Sequence, residues 1–217
     1  MANAAHSLNA GHDLVTMAQA ATRAAEALLA DAAAKVRERV VLAGAPVAKL
    51  MNREQRATHG LAWLATYVEA VRQLATYVER MHQEGRLSEI EELLVRIGLG
   101  EYLAQIVSGI PISQVEIVRP SDLGLSASAV AARITSDVDA LIATGNTAQH
   151  RARLVELMRA GHGATVGAAG LDDTLEAIRD EMRKFADSEV VEHAQAWHRT
   201  NSYIPLEILT QMSELGV

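Results

Sequence analysis

Leu61-Ala-Trp-Leu-Ala-Thr-Tyr-Val-Glu-Ala-Val-Arg-Gln-Leu-Ala-Thr-Tyr-Val-Glu-Arg-Met81 carries Leu61, Leu64, Val68, Val71, Leu74, Val78 and Met81 at steps of three and four. On a helix those steps put every one of these side chains on one face, whereas on a strand they would scatter over both. Glu69, Arg72, Gln73, Glu79 and Arg80 fall largely outside that face, so one side suits burial and the other water. The pattern predicts a long helix over Asn52–Gln83, with Gly85 at its stop position. Ahead of it, Leu14, Met17, Ala21, Ala25, Leu28 and Leu29 predict a helix over Asp13–Leu42 that ends at Gly44-Ala45-Pro46. Residues 1–11 are small and polar and are expected to fray. Behind it, Ser88 followed by Glu91 has the spacing of a capping box. The helix it opens carries Ile90, Leu93, Leu94, Ile97, Leu103, Ile106 and Val107, with a break expected at Gly98-Leu99-Gly100. Ile110–Pro120 reads as an extended connector along the surface, and helices resume over Ser126–Ala143 and Thr147–Ala160.

Composition agrees with an all-α fold. Alanine is the commonest residue, and aromatic residues are 3% of the 217, so the core is aliphatic with alanine-lined contacts. No sustained alternation bounded by turn residues calls for a sheet. A hydrophobic fraction of 49% is too high for a disordered chain. The absence of cysteine excludes disulfides, thiolate metal sites and a cysteine nucleophile. A net charge of −7 with scattered basic residues argues against a nucleic-acid partner. No apolar run approaches the ~20 residues of a membrane-spanning helix, and Met1–Asn9 lacks a secretory signal pattern. The expectation is a soluble, cytoplasmic protein.

Gly161–Gly170 holds four glycines in ten residues, each costing a helix about 1 kcal/mol relative to alanine. The expected organisation is a helical extension domain over 12–160, a glycine-rich linker over 161–171 and a further helical segment over 172–217. In that last segment Asp172, Asp173 and Glu176 open a helix running through Trp197, and another starts at Pro205. The linker is no dinucleotide loop, because no strand precedes it and Val166 stands where a third glycine is needed. Glu79-Arg80-Met81-His82 has the Glu-x-x-His spacing of carboxylate-bridged metal bundles, but a second such motif is missing and the pair flanks the stripe as solvated groups. His59, close to Trp63, is read as buried or capping. Glu189, His193 and Trp197 stack at helical spacing, as ordinary neighbours. His6, His12, His150 and His162 stand near helix ends or in loops. Asp172-Asp173 and Glu91-Glu92 suit helix starts and solvent. Trp63, Tyr67 and Tyr77 suit packing better than a cofactor pocket. No Gly-x-Ser-x-Gly is present. No catalytic, cofactor-binding or metal-ligating residue is assigned.

The segment from Met182-Arg-Lys-Phe-Ala-Asp-Ser-Glu-Val-Val-Glu-His-Ala-Gln-Ala-Trp197, through Ile204-Pro205-Leu-Glu, to Met212-Ser-Glu-Leu-Gly216-Val217 resembles the opening two helices of the flavin-dependent acyl-CoA dehydrogenases. Glu192 departs from the pattern, standing where many members carry proline. The resemblance covers residues 172–217. It implies FAD and an acyl-CoA substrate in a full-length parent, where a glutamate takes the Cα proton and flavin N5 accepts hydride from Cβ. It also implies an electron-transfer flavoprotein partner and a homo-oligomer. The flavin contacts and the catalytic glutamate of the family would lie beyond residue 217, so this chain reads as a truncated N-terminal portion, expected alone to be inactive and without flavin. The extension, with Thr58-His-Gly-Leu-Ala-Trp63-Leu-Ala-Thr-Tyr67, is similar to that of a branch of the family that oxidises methylsuccinyl-CoA to mesaconyl-CoA in the ethylmalonyl-CoA pathway. The alternative is a non-enzymatic helical assembly or docking module.

Overall fold

The computed structural model describes residues 2–42, 44–45, 47–161 and 168–216, with side chains described at 11 and from 13 onwards within those ranges. The first of two compact units is Met1–Ala168 and the second is Ala169–Val217. Helices dominate both, as the periodicity predicts.

In the first unit, α1 (Ala2–Val40) packs along α3 (Gln55–Gln83), with the short α2 (Val47–Arg53) between them in sequence. Leu14, Ala18, Ala21, Ala25, Leu28, Ala32 and Val36 are buried on α1 against the same core as Leu64, Val68, Val71, Ala75 and Val78. The small alanines let the helix axes approach closely, and the larger side chains fill what remains. The predicted stripe is therefore the seam, with Leu61 and Leu74 half-buried at its edges. Two boundaries differ from expectation. The backbone is helical from Ala2 rather than Asp13, where Ala2, Ala4 and Ala5 favour it. The long second helix is preceded by a separate turn, α2, anchored by the buried Leu50.

The helix α4 (Glu89–Ser108) is continuous through Gly98-Leu99-Gly100, against the expected break. It touches α1, α3, α6 and α7, so it is apolar nearly all round and its glycines are packing sites. A Cβ on Gly100 would sit 2.8 Å from the Leu141 carbonyl oxygen and 2.8 Å from the Asn146 nitrogen. That missing carbon lets the end of α6 (Ser136–Thr144) lie directly on α4. The segment after α4 also corrects the surface reading. Ile110–Pro111 (β1) pairs antiparallel with Ile117–Val118 (β2), Ile110 opposite Val118. Both of these side chains are 2% exposed and enter the core, while Val115 at the tip is 97% exposed. A 3₁₀ turn over Pro120–Leu123, α5 (Ala127–Ala131) and α7 (Ala148–Ala160) complete the unit, so the predicted Ser126–Ala143 helix is two pieces.

The second unit consists of α8 (Asp173–Phe185), a π-helical turn (Ala186–Val190), α9 (Val191–Thr200) and α10 (Leu206–Glu214). Asp172 caps α8, its side chain accepting from the Leu175 N–H at 2.8 Å. Asn201 closes α9 in the left-handed region, and Pro205 caps α10 from just outside its first turn. Leu175, Ile178, Val191, Leu206, Leu209 and Leu215 are exposed, and Ile208 is the buried hydrophobic residue among those described here. Among the described residues no helix is long and apolar enough to cross a membrane.

Candidate functional site

Two polar arrangements grow out of the seam helices. The first follows α3 outward from its N-terminus. His59, exposed rather than buried, accepts a hydrogen bond at Nε2 from Trp63 Nε1 at 3.0 Å. Trp63 meets Tyr67 edge-on at 6.4 Å between centroids, and Tyr67 meets Tyr102 of α4 edge-on at 5.0 Å. The Tyr67 hydroxyl donates to Gln105 Oε1 at 2.7 Å. Burial, then the neighbouring Tyr102 and Glu101, pushes the Tyr67 phenol up, so it stays protonated and a donor. Each ring is held by its neighbours, so the row works as packing between α3 and α4.

The second joins the other end of α3 to the start of α4. Ser88 Oγ accepts from the Ile90 N–H, and Glu91 Oε2 accepts from the Ser88 N–H at 2.9 Å, which closes the predicted capping box. Glu91 also accepts from the Ser88 hydroxyl and, through Oε1, from the Ala168 N–H at 2.8 Å. The Tyr77 hydroxyl donates to the Ala168 carbonyl at 2.6 Å. Glu91 is 5% exposed, a correction to its reading as a solvated helix-start carboxylate. Tyr77 thus turns to Ala168 and stands outside the Trp63–Tyr67 row.

The remaining candidates stay apart. Glu79 accepts from Gln19 Nε2 at 3.3 Å, and His82 lies over Gly11. The His150 ring nitrogen Nδ1 is 2.8 Å from the Gly145 carbonyl oxygen. The His193 ring leans on Trp197 at 5.7 Å, while Glu189 stands in the π turn. Gly163, Val166 and His162 lie outside the described residues, as do the side chains of His6 and His12. Among the described residues no cluster of three or more His, Asp or Glu is placed to hold a metal ion.

An open cleft of about 550 Å³ between α4 and α7 is lined by Glu89, Glu92, Arg96, His150, Arg153 and Glu156. Arg153 bridges Glu89 with two hydrogen bonds, 2.7 and 2.8 Å, and holds its carboxyl below the usual range. Burial pushes Glu92 up. Opposite charges neutralise one another across this cleft, leaving no concentrated charge for a substrate. The enclosed apolar void beside Leu28, Leu64 and Ile106 holds about 10 Å³, too little for a ligand.

Residues 172–217 match the family model of the acyl-CoA dehydrogenase N-terminal domain. The chain is 47% identical over 206 residues to (2S)-methylsuccinyl-CoA dehydrogenase from Cereibacter sphaeroides. The match covers 94% of this chain and 37% of that relative, so the chain spans little over a third of the relative's length. An alignment of that extent cannot be contained in residues 172–217 and takes in most of the helical unit before them. The match to the acyl-CoA dehydrogenase N-terminal domain thus falls on residues 172–217, and the likeness to the Cereibacter sphaeroides enzyme runs on through the helices ahead of it.

Proposed function

We propose that this chain is part of a flavin-dependent dehydrogenase that oxidises (2S)-methylsuccinyl-CoA to mesaconyl-CoA in the cytoplasm. The observation that carries the reading is the identity through the first unit, where the general family model does not reach. In that reaction the Cα proton goes to a carboxylate base, the Cβ hydrogen leaves as hydride, and a carbon–carbon double bond forms. FAD supplies the two-electron oxidant, and an electron-transfer flavoprotein reoxidises it. The residues of this chain contribute scaffold: an extension over 12–160, a glycine-rich linker over 161–171 and the start of the dehydrogenase helical domain from 172. The whole protein is a homo-oligomer in this reading.

The test is expression of the whole reading frame, followed by a flavin spectrum and turnover of (2S)-methylsuccinyl-CoA with an artificial electron acceptor. Bound FAD and a preference for this substrate over butyryl-CoA are expected. A flavoprotein that prefers the straight-chain thioester would keep the family and overturn the substrate. A second reading, a helical docking module, is favoured by the exposed apolar side chains of α8 and α10. Flavin-free whole protein without turnover of either thioester would make it the better account.

A further inference from the structure

Ala168 is the last residue of the first unit, and both polar groups of its backbone are held from within that unit. Its N–H reaches Glu91 on the first turn of α4, and its carbonyl reaches Tyr77 near the end of α3. These partners are 77 and 91 residues away in sequence, so the contacts come from the tertiary fold and not from a local turn. Glu91 is the one charged residue buried among those described. A buried carboxylate with no cation beside it is costly unless donors surround it. Here the donors are the Ser88 N–H, the Ser88 hydroxyl and the Ala168 N–H, one of the three coming from the far end of the unit. Burial pushes the Glu91 carboxyl up, and these hydrogen bonds outweigh it, holding the group below its ordinary range and charged. Burial, followed by the charge of Glu91, pushes the Tyr77 phenol up, so it remains a donor.

We propose that Glu91 and Tyr77 form a latch that docks Ala168 as the end of the helical unit and confines the joint to Ala169-Gly170-Leu171, ahead of the α8 cap Asp172. Gly170, at φ +65°, adopts the left-handed conformation that a residue with a Cβ rarely takes, which suits a tight joint. This inference does not rest on the proposed reaction.

The test is amide hydrogen exchange and limited proteolysis on the 217-residue chain and its Tyr77→Phe and Glu91→Gln variants. In the unaltered chain the Ala168 amide is expected to be protected, and cleavage to fall at 169–171 in preference to 168. Tyr77→Phe keeps the ring and removes one hydrogen bond, so exchange at Ala168 should accelerate about five- to tenfold. The Val71 and Val78 amides of α3 should keep their rates. Glu91→Gln, which keeps the shape and discards the charge, should accelerate Ala168 as well. An Ala168 amide that exchanges as fast as an unstructured peptide in the unaltered chain overturns the latch, whatever the variants do. So does an Ala168 rate that Tyr77→Phe leaves unchanged.

Discussion

At Glu91 the charge is stabilised by hydrogen bonds alone, with no ion pair among the described residues, and this sets how stability should respond to acid. Its folded carboxyl is held below the ordinary value of 4.5. A depressed folded value means stability that is present at neutral pH and is lost as pH falls through the carboxylate range. Glu91→Gln has no such proton to gain. Its urea midpoint should lie below that of the unaltered chain at pH 7, and the two curves should converge as the medium is acidified. Parallel curves would show that Glu91 is not the group being titrated. Glu91→Ala removes the capping-box partner and orphans the Ala168 N–H, and should cost about 1–3 kcal/mol in urea unfolding. The Arg133–Asp31 pair makes a contrast: it is two-pronged, Nε to Oδ2 at 3.0 Å and Nη2 to Oδ1 at 3.1 Å, but both side chains are well exposed. Arg133→Ala should therefore cost no more than about 1 kcal/mol, despite the better-looking geometry.

Element by element, the informative differences are in what glycine does inside α4. A Cβ on Gly100 would press on backbone atoms of α6 and its following turn, which cannot step aside. A Cβ on Gly98 would meet the end of the Leu74 side chain at 2.9 Å, which can rotate away. Alanine gains about 1 kcal/mol of helix propensity at either position. Gly98→Ala should thus be near neutral, whereas Gly100→Ala should lose about 1–3 kcal/mol from overpacking, read from thermal or urea unfolding. Equal effects would mean that α4 and α6 are not in close contact. Val71, fully buried on α3, should tolerate aspartate far worse than Glu69 on the outer face tolerates lysine, by several kcal/mol (~3 or more). The α3 seam and the Ser88–Glu91 capping box are legible in the sequence because both depend on neighbours within a few residues. The continuity of α4 is not, because glycine weakens a helix locally and only α6, some forty residues on, supplies the compensating contact. The buried ends of the β1–β2 hairpin and the reach of Glu91 to Ala168 are hidden for the same reason. A glutamate at a capping position reads identically whether it faces water or a distant peptide.

For the chain as a whole, stability should be divided unevenly between its two units. The first buries a continuous aliphatic core drawn from α1, α3, α4 and α6, including the fully buried Leu14, Val71, Val95 and Leu99. The second buries Ile208 among its described hydrophobic residues, while Leu206 is 74% exposed and Leu175, Ile178, Leu209 and Leu215 are about half exposed. Local opening is governed by how much apolar contact an opening breaks. Amides after residue 172 should therefore exchange faster than those of 52–107, by hydrogen-exchange mass spectrometry of the 217-residue chain. Helix α8 concentrates its apolar residues, Leu175, Ile178 and Met182, along one face, opposite the charges of Asp173, Asp180 and Lys184. Water is a poor environment for such a face, and an uncovered patch of this kind drives association. The chain should accordingly self-associate with rising concentration in sedimentation velocity, and Ile178→Glu should suppress that association without changing exchange over 52–107. A chain that stays monomeric, with exchange uniformly slow from 52 to 214, would show that the second unit is stable with these side chains in water. The apolar faces of α8 and α10 would then need no partner, whether another copy or another part of a dehydrogenase.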